Sequence, residues 1–137
     1  MIITIIIFIA ILSLLVFVHE LGHFVVAKKS GMGVHEFGFG FPPRVIGIQK
    51  QDGRWKMVWG KKQADNGETV YSINAIPLGG FVRIMGEDND EASDPKSFTN
   101  KSFGKRFLTL AAGVLMNVLT AWVILSIGFM LITGCRN

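Results

Sequence analysis

The chain of 137 residues contains a single cysteine, Cys135, and no charged side chain between residues 2 and 18. One cysteine excludes an internal disulfide framework and argues against a structural zinc site built from several cysteines. No lysine or arginine precedes the first apolar run, which is longer than the usual core of a signal peptide. We therefore expect this run to be a retained membrane span rather than a cleaved leader.

Charge is also missing from a second long stretch near the end of the chain. The hydrophobic residues, 50% of the total, are concentrated in two blocks, residues 2–27 and 107–133. A helix of about 26 residues is about 39 Å long, enough to cross a bilayer core with some tilt. We predict transmembrane helices over about residues 2–29 and 103–133, the first of them stopping at Ser30-Gly31.

The positive charges lie almost entirely between the two apolar blocks. Of the 14 lysines and arginines, only Arg136 lies outside the segment from Lys28 to Arg106. Basic residues beside membrane spans favour the cytoplasmic side. We predict a multi-pass protein of the inner (plasma) membrane, in contact with the lipid bilayer, with both termini outside and the central segment cytoplasmic. Basic and aromatic residues are not interleaved in the sequence, so we expect no nucleic-acid partner.

The central segment, about residues 30–101, has the pattern of β-structure. Residues 34–43 alternate glycine and phenylalanine and close with two prolines, which we expect to end an extended stretch. Asp52-Gly53 lies between two short apolar runs and predicts a hairpin. Asn66-Gly67 predicts a second turn before a strand at residues 69–73.

A separate hairpin is predicted at residues 77–85, which are largely apolar but contain Pro77, Gly79 and Gly80. These residues break a helix, and the apolar flanks favour a loop that re-enters the membrane where protein or a wet cavity satisfies its backbone. The glycines would let the backbone approach a substrate strand that pairs with an exposed edge. A plain soluble hairpin is the alternative. The predicted fold class is a mainly α membrane protein, with two antiparallel transmembrane helices joined by a cytoplasmic β-rich segment carrying this re-entrant hairpin.

The chemistry is concentrated in an H-E-x-x-H sequence inside the first predicted helix, formed by His19, Glu20 and His23. Residues four apart share a helix face, so both imidazoles can point at one metal ion. Glu20 flanks that site and can accept a proton from water. Ionisable groups are costly in a membrane helix and mark functional sites. Counting from Lys28, the site lies about 7–13 Å inside the cytoplasmic boundary.

The second predicted helix carries a short run of small residues followed by a polar one. Ala111-Ala112-Gly113 permits close helix contact, and Asn117 lies about one turn further along. An asparagine within the membrane needs a hydrogen-bond partner. Asn117 is predicted either to face the metal or the substrate, or to join the two helices.

Together these motifs resemble the N-terminal part of the site-2 proteases, the membrane-embedded zinc metalloproteases of the M50 class, of the bacterial type that acts in regulated intramembrane proteolysis. The matching stretches follow the family's order at residues 19–23, 37–40, 77–82 and 112–117. By this resemblance, residues 1–137 form the N-terminal part of an M50-like membrane domain.

The resemblance also implies roles for individual residues. His19 and His23 would ligate Zn²⁺ and Glu20 would be the general base, acting on transmembrane proteins as substrates. The implied substrate contacts are Asn117 on the second helix and the re-entrant residues Pro77, Leu78, Gly79, Gly80 and Phe81.

Two features depart from the family pattern. Val114 stands where the family usually has proline. Family members also supply a third zinc ligand, an aspartate, from a later transmembrane helix that this chain does not include. We therefore expect the chain to be truncated and, by itself, inactive or nearly so. The alternative is a non-catalytic membrane protein that binds substrates or partners without cleaving them.

Overall fold

The computed structural model describes residues 1–60, 68–87 and 93–134. The predicted turn at Asn66-Gly67 and the cysteine Cys135 lie outside these residues. The elements in chain order are α1 (Ile2–Lys29), β1 (Val34–Gln51), β2 (Arg54–Trp59), β3 (Val70–Ile84), a 3₁₀ turn (Phe98–Asn100) and α2 (Phe103–Gly134).

Both predicted long helices are present, and each is long and apolar enough to cross a membrane. α1 has 28 residues and α2 has 32, with mean hydropathies of 3.0 and 2.2 over their most apolar windows. α1 ends where predicted, since Ser30 follows its last turn and Gly31 adopts φ +72°, the left-handed conformation common just past a helix end. The apolar windows have no buried residues within the described chain. This exposure is consistent with a membrane protein.

The two helices approach each other through small residues. A Cβ atom on Gly22 of α1 would lie 2.5 Å from the carbonyl oxygen of Ala112 on α2, so this crossing needs glycine. Further contacts join His23 to Thr109 and His19 to Asn117. The later residue of α1 contacts the earlier residue of α2, so the two helices are antiparallel.

The β-rich segment forms an antiparallel three-stranded sheet in the order β2-β1-β3. β1 and β2 are joined by two residues, Asp52 and Gly53, with φ values of +52° and +78°. Positive φ at both central positions is typical of the hairpin turn whose twist matches that of the flanking strands. The hairpin predicted at Asp52-Gly53 is confirmed.

The prediction that two prolines end the first strand is wrong. β1 continues through Pro42 and Pro43, joined by a cis peptide bond, as far as Gln51. Both prolines fall between Phe41, paired with Ile76, and the next paired residue of β1, where the ladder is interrupted. Proline lacks an N–H donor, so a strand tolerates it where no ladder bond is made.

β3 is also one strand, where the sequence predicted a strand and a separate hairpin. Among the described residues, positions 77–79 have no partner in β1, and the strand bends there. Its first half pairs Ser72 with Gly47, and its second half pairs Phe81 with Gly38. The bend brings the residues that follow it against α1.

A buried ion pair links the two halves of β1. Arg44 donates to Glu36 through Nε at 2.8 Å and through Nη2 at 2.5 Å, with side chains only 8% and 11% exposed respectively. Burial by itself would raise the pKa of Glu36, but the hydrogen bonds and charge of Arg44, together with the charge of Arg83, lower that pKa below its ordinary value. Glu36 is therefore ionised at neutral pH and holds the bent strand together.

Candidate metal centre

α1 brings the three residues of the H-E-x-x-H motif into one cluster. The rings of His19 and His23 are arranged edge to face, with centroids 4.7 Å apart and planes at 73°. The ligand-capable atoms of His19, Glu20 and His23 all lie within 4.8 Å of one another. One helical turn therefore supplies two imidazole nitrogens and a carboxylate to the same small volume.

A glycine on the facing helix lets both imidazoles approach the backbone of α2 closely. A Cβ atom on Gly113 of α2 would lie 2.5 Å from Nε2 of His19 and 2.6 Å from Nε2 of His23. Both Nε2 atoms thus lie beside the backbone of α2 at the same residue. Zinc binds imidazole nitrogen at about 2.0–2.1 Å. An ion held by both Nε2 atoms would lie next to the position of this Cβ atom and further from α2, because that position is one bond length from Cα of Gly113.

Groups on α2 contact the other nitrogen of each imidazole. Nδ1 of His23 lies 2.7 Å from the backbone carbonyl oxygen of Thr109. Nδ1 of His19 lies 3.3 Å from the side-chain amide of Asn117. A partner on Nδ1 orients the ring and directs Nε2 toward the metal. Asn117 is thus placed at the cluster, on the side of His19 away from Nε2.

β3 contacts the carboxylate of the motif from the other side. The backbone N–H of Val82 donates a hydrogen bond to Glu20. A Cβ atom on Gly80 would lie 3.2 Å from Cβ of Glu20 and 3.0 Å from Cα of Phe17. The strand therefore passes directly over α1 at the motif, and its backbone helps to orient the Glu20 side chain.

The bend of β3 is attached to α1 about one turn before the motif. The N–H of Gly79 donates to Oγ of Ser13 at 2.7 Å. Gly79 has φ +71°, and a Cβ atom there would lie 2.5 Å from Cγ1 of Val16. Pro77 lines an apolar groove beside α1 that also includes Ser13 and Phe39. The glycines of the predicted re-entrant stretch therefore permit close approach to α1; their contact with substrate stays a prediction.

Replacing Gly79 by alanine is expected to destabilise the packing of β3 on α1. Gly53 has a similar φ of +78°, but a Cβ atom there would meet nothing within 4 Å. Gly53→Ala is therefore the matched control, because its only expected cost in stability is that of placing alanine at a positive φ. Gly79→Ala adds the overlap with Val16 and should lose about 1–3 kcal/mol more than the control. Equilibrium unfolding in mixed micelles, followed by circular dichroism, measures the difference. Equal losses in the two variants would contradict the contact.

The residues present fit a zinc ion. Two imidazole nitrogens and a carboxylate within 4.8 Å of one another are the donor types that zinc prefers. Catalytic zinc sites commonly have three protein ligands. Within the described residues, the cluster consists of His19, Glu20 and His23.

Sequence reasoning predicted Asn117 near this site but missed Thr109, the close approach of Gly113 and the backbone contacts from β3. Thr109, Gly113 and Asn117 are spaced four apart on α2 and face the histidines in order. That row of non-apolar residues at helical spacing was a detectable signal. Val82 and Gly79 contribute backbone N–H groups. Every residue except proline has this group, so the residue type does not indicate such a contact.

The chain is similar in sequence to proteins that are named as zinc metalloproteases. The sequence profile of peptidase family M50 matches residues 7–61 and 56–134. Three relatives, each named "Putative zinc metalloprotease", come from Clostridium acetobutylicum (39% identity, 84% of this chain, 29% of the relative), Fusobacterium nucleatum (39%, 89% and 31%) and Mesorhizobium japonicum (34%, 92% and 34%). The chain spans about a third of the length of these curated relatives.

Proposed function

The chain belongs to peptidase family M50, and from this we propose that it carries the metal-binding histidines and the general base of an intramembrane zinc endopeptidase. The substrates would be transmembrane segments of membrane proteins, cut in regulated intramembrane proteolysis. One observation carries the proposal: the ligand-capable atoms of His19, Glu20 and His23 lie within 4.8 Å of one another, and Nε2 of both histidines lies beside Gly113 of α2.

The roles of the site residues follow from this arrangement. His19 and His23 would hold zinc through their Nε2 atoms. When bound, zinc supplies Lewis-acid polarisation of a carbonyl group and of water. Glu20 accepts a proton from the attacking water and passes it to the amine that leaves. The N–H of Val82 holds the Glu20 carboxylate in place for this transfer.

The charge pattern and the exposed side chains support a place in the inner membrane. Lys28 and Lys29 end α1 and are exposed, as are Lys105 and Arg106 in the first turn of α2. Basic residues at these ends favour a cytoplasmic central segment and external termini. Tryptophan is favoured at the boundary between lipid and water, and Trp59 on β2 is 59% exposed. The sheet would then lie at the cytoplasmic face of the bilayer.

Substrate would reach the site beside the bend of β3. The attachment of Gly79 to Ser13 holds this bend against the middle of α1, which supports a membrane-re-entrant position for Pro77, Leu78, Gly79, Gly80 and Phe81. An extended substrate segment would add to the strand edge there, since backbone pairing suits a locally unwound peptide.

The catalytic site is expected to need more than the two histidines. A third ligand, which the family resemblance implies to be an aspartate, would complete the zinc coordination. We therefore propose that the 137-residue chain by itself has little or no peptidase activity.

Metal content tests the proposed metal centre directly. The purified chain should bind about one zinc ion, as measured by mass spectrometry of the metal after removal of free ions. His19→Ala and His23→Ala should each lower the content to background, because one imidazole alone binds zinc weakly. His35→Ala is the matched control, because His35 lies on β1 outside the cluster. Equal zinc content in all four proteins would refute the assignment.

A further inference from the structure

The two imidazoles of the cluster differ in what their second nitrogen faces. Nδ1 of His23 lies 2.7 Å from the carbonyl oxygen of Thr109, which can only accept a hydrogen bond. Nδ1 of His23 therefore carries the proton, and its Nε2 presents a lone pair toward Gly113. Because Nε2 of His19 lies beside the same glycine, an ion shared by the two Nε2 atoms requires His19 to be in the same tautomer.

The Nδ1 proton of His19 then needs an acceptor, and the group in place is the amide of Asn117. In the structure the amide nitrogen of Asn117 faces Nδ1 of His19 at 3.3 Å. The amide oxygen of Asn117 is buried and has no hydrogen-bond partner within the described residues. A rotation of the amide by 180° exchanges its oxygen and nitrogen with little change of shape. That rotation gives Nδ1–H its acceptor and gives the oxygen its partner.

The two orientations of this amide correspond to two tautomers of His19. With NH₂ toward Nδ1, the ring accepts at Nδ1 and carries its proton on Nε2, where it blocks metal binding. With the oxygen toward Nδ1, the proton stays on Nδ1 and Nε2 is free to bind. Resting on the proposed function, we infer that Asn117 is a positioning residue, which selects the zinc-binding tautomer of His19 by accepting its Nδ1 proton.

Zinc affinity in three variants of the 137-residue chain tests this role. Asn117→Leu is similar in size and removes the acceptor, and it should weaken Zn²⁺ binding about 10- to 100-fold. Asn117→Asp keeps an acceptor oxygen but loses the NH₂ donor, and it should bind within a few-fold of wild type. Thr120→Val is the control, because the Thr120 hydroxyl bonds only to the Met116 carbonyl among the described residues. Competition with a coloured chelator gives each affinity, and circular dichroism checks folding.

The aspartate variant separates this role from two others. If Asn117 only joined the helices, the leucine variant would bind zinc as wild type does, and that result overturns the inference. If the NH₂ group were what mattered, the aspartate variant would bind as weakly as the leucine one, which overturns it too. A wild-type chain that binds no Zn²⁺ overturns the proposed metal centre itself, and this inference with it.

A measurement on the wild-type chain needs no substitution. With ¹⁵N-labelled histidine and bound Zn²⁺, the Nδ1 proton of His19 should exchange slowly with water, because the amide oxygen of Asn117 holds it. Its resonance is identified by its disappearance in His19→Gln. Fast exchange of that proton in a zinc-loaded chain would show that Asn117 does not accept it and would overturn the inference.

Discussion

Replacing Gly113 by alanine is expected to abolish zinc binding. The new methyl carbon would lie 2.5 Å from Nε2 of His19 and 2.6 Å from Nε2 of His23, closer than carbon and nitrogen can approach without a bond. At least one imidazole must therefore move away, and the two nitrogens can no longer hold one ion at about 2.0–2.1 Å. Zinc content should fall from about one ion per chain to background, a loss of affinity of more than about 1,000-fold if a single weak ligand remains.

Gly128→Ala is the control for this experiment. Gly128 lies on the same helix, and a Cβ atom there would meet nothing within 4 Å. Alanine is the better helix former by about 1 kcal/mol, so the control should keep its zinc and be at least as stable. Circular dichroism of both variants separates loss of the ion from loss of the helix. A Gly113→Ala protein that is folded and holds a full complement of zinc would show that the histidines do not bind metal at this point.

Replacing Glu20 by glutamine is expected to remove peptidase activity and leave zinc in place. Glutamine has nearly the same shape and can still accept the hydrogen bond from Val82, but it cannot take a proton from water. Loss of a general base typically lowers the rate about 10²- to 10⁴-fold. Zinc content should match wild type, because His19 and His23 remain.

The activity measurement uses a chimera, because the chain spans only 29% of its Clostridium acetobutylicum relative. In the chimera this chain replaces the matching part of that relative, and cleavage of a single-pass membrane protein is followed in liposomes. The unaltered relative is the positive control. A Glu20→Gln chimera that loses zinc would make Glu20 a ligand rather than a base. A folded, zinc-loaded chimera that does not cleave while the relative does would favour the non-catalytic alternative.

The sequence predictions were accurate where the structure depends on interactions between residues close together in the sequence. Both helices and the turn at Asp52-Gly53 were predicted because apolar composition and turn chemistry act within a few residues. The cluster of His19, Glu20 and His23 was predictable for the same reason, since a spacing of four fixes a shared helix face.

The course of the long strands was predicted less well. Pro42 was expected to end an extended segment and Pro77 to belong to a separate hairpin, yet β1 and β3 pass through both. Whether a proline breaks a strand depends on whether its position needs a ladder bond, and that depends on the partner strand. The sequence also did not show why position 79 needs glycine, because Val16 is distant in sequence and contacts Gly79 only in the folded chain.

The sequence by itself therefore determined the two apolar helices. It also determined the three residues of α1 that can contact a metal ion. Only the tertiary structure decided what surrounds those residues. Thr109 is 86 positions from His23, and Asn117 is 98 positions from His19. Such contacts depend on how two helices and a bent strand pack together. Small residues permit this packing because they have little or no side chain to keep the elements apart. The two imidazoles come to lie beside Gly113 only once α2 packs against α1.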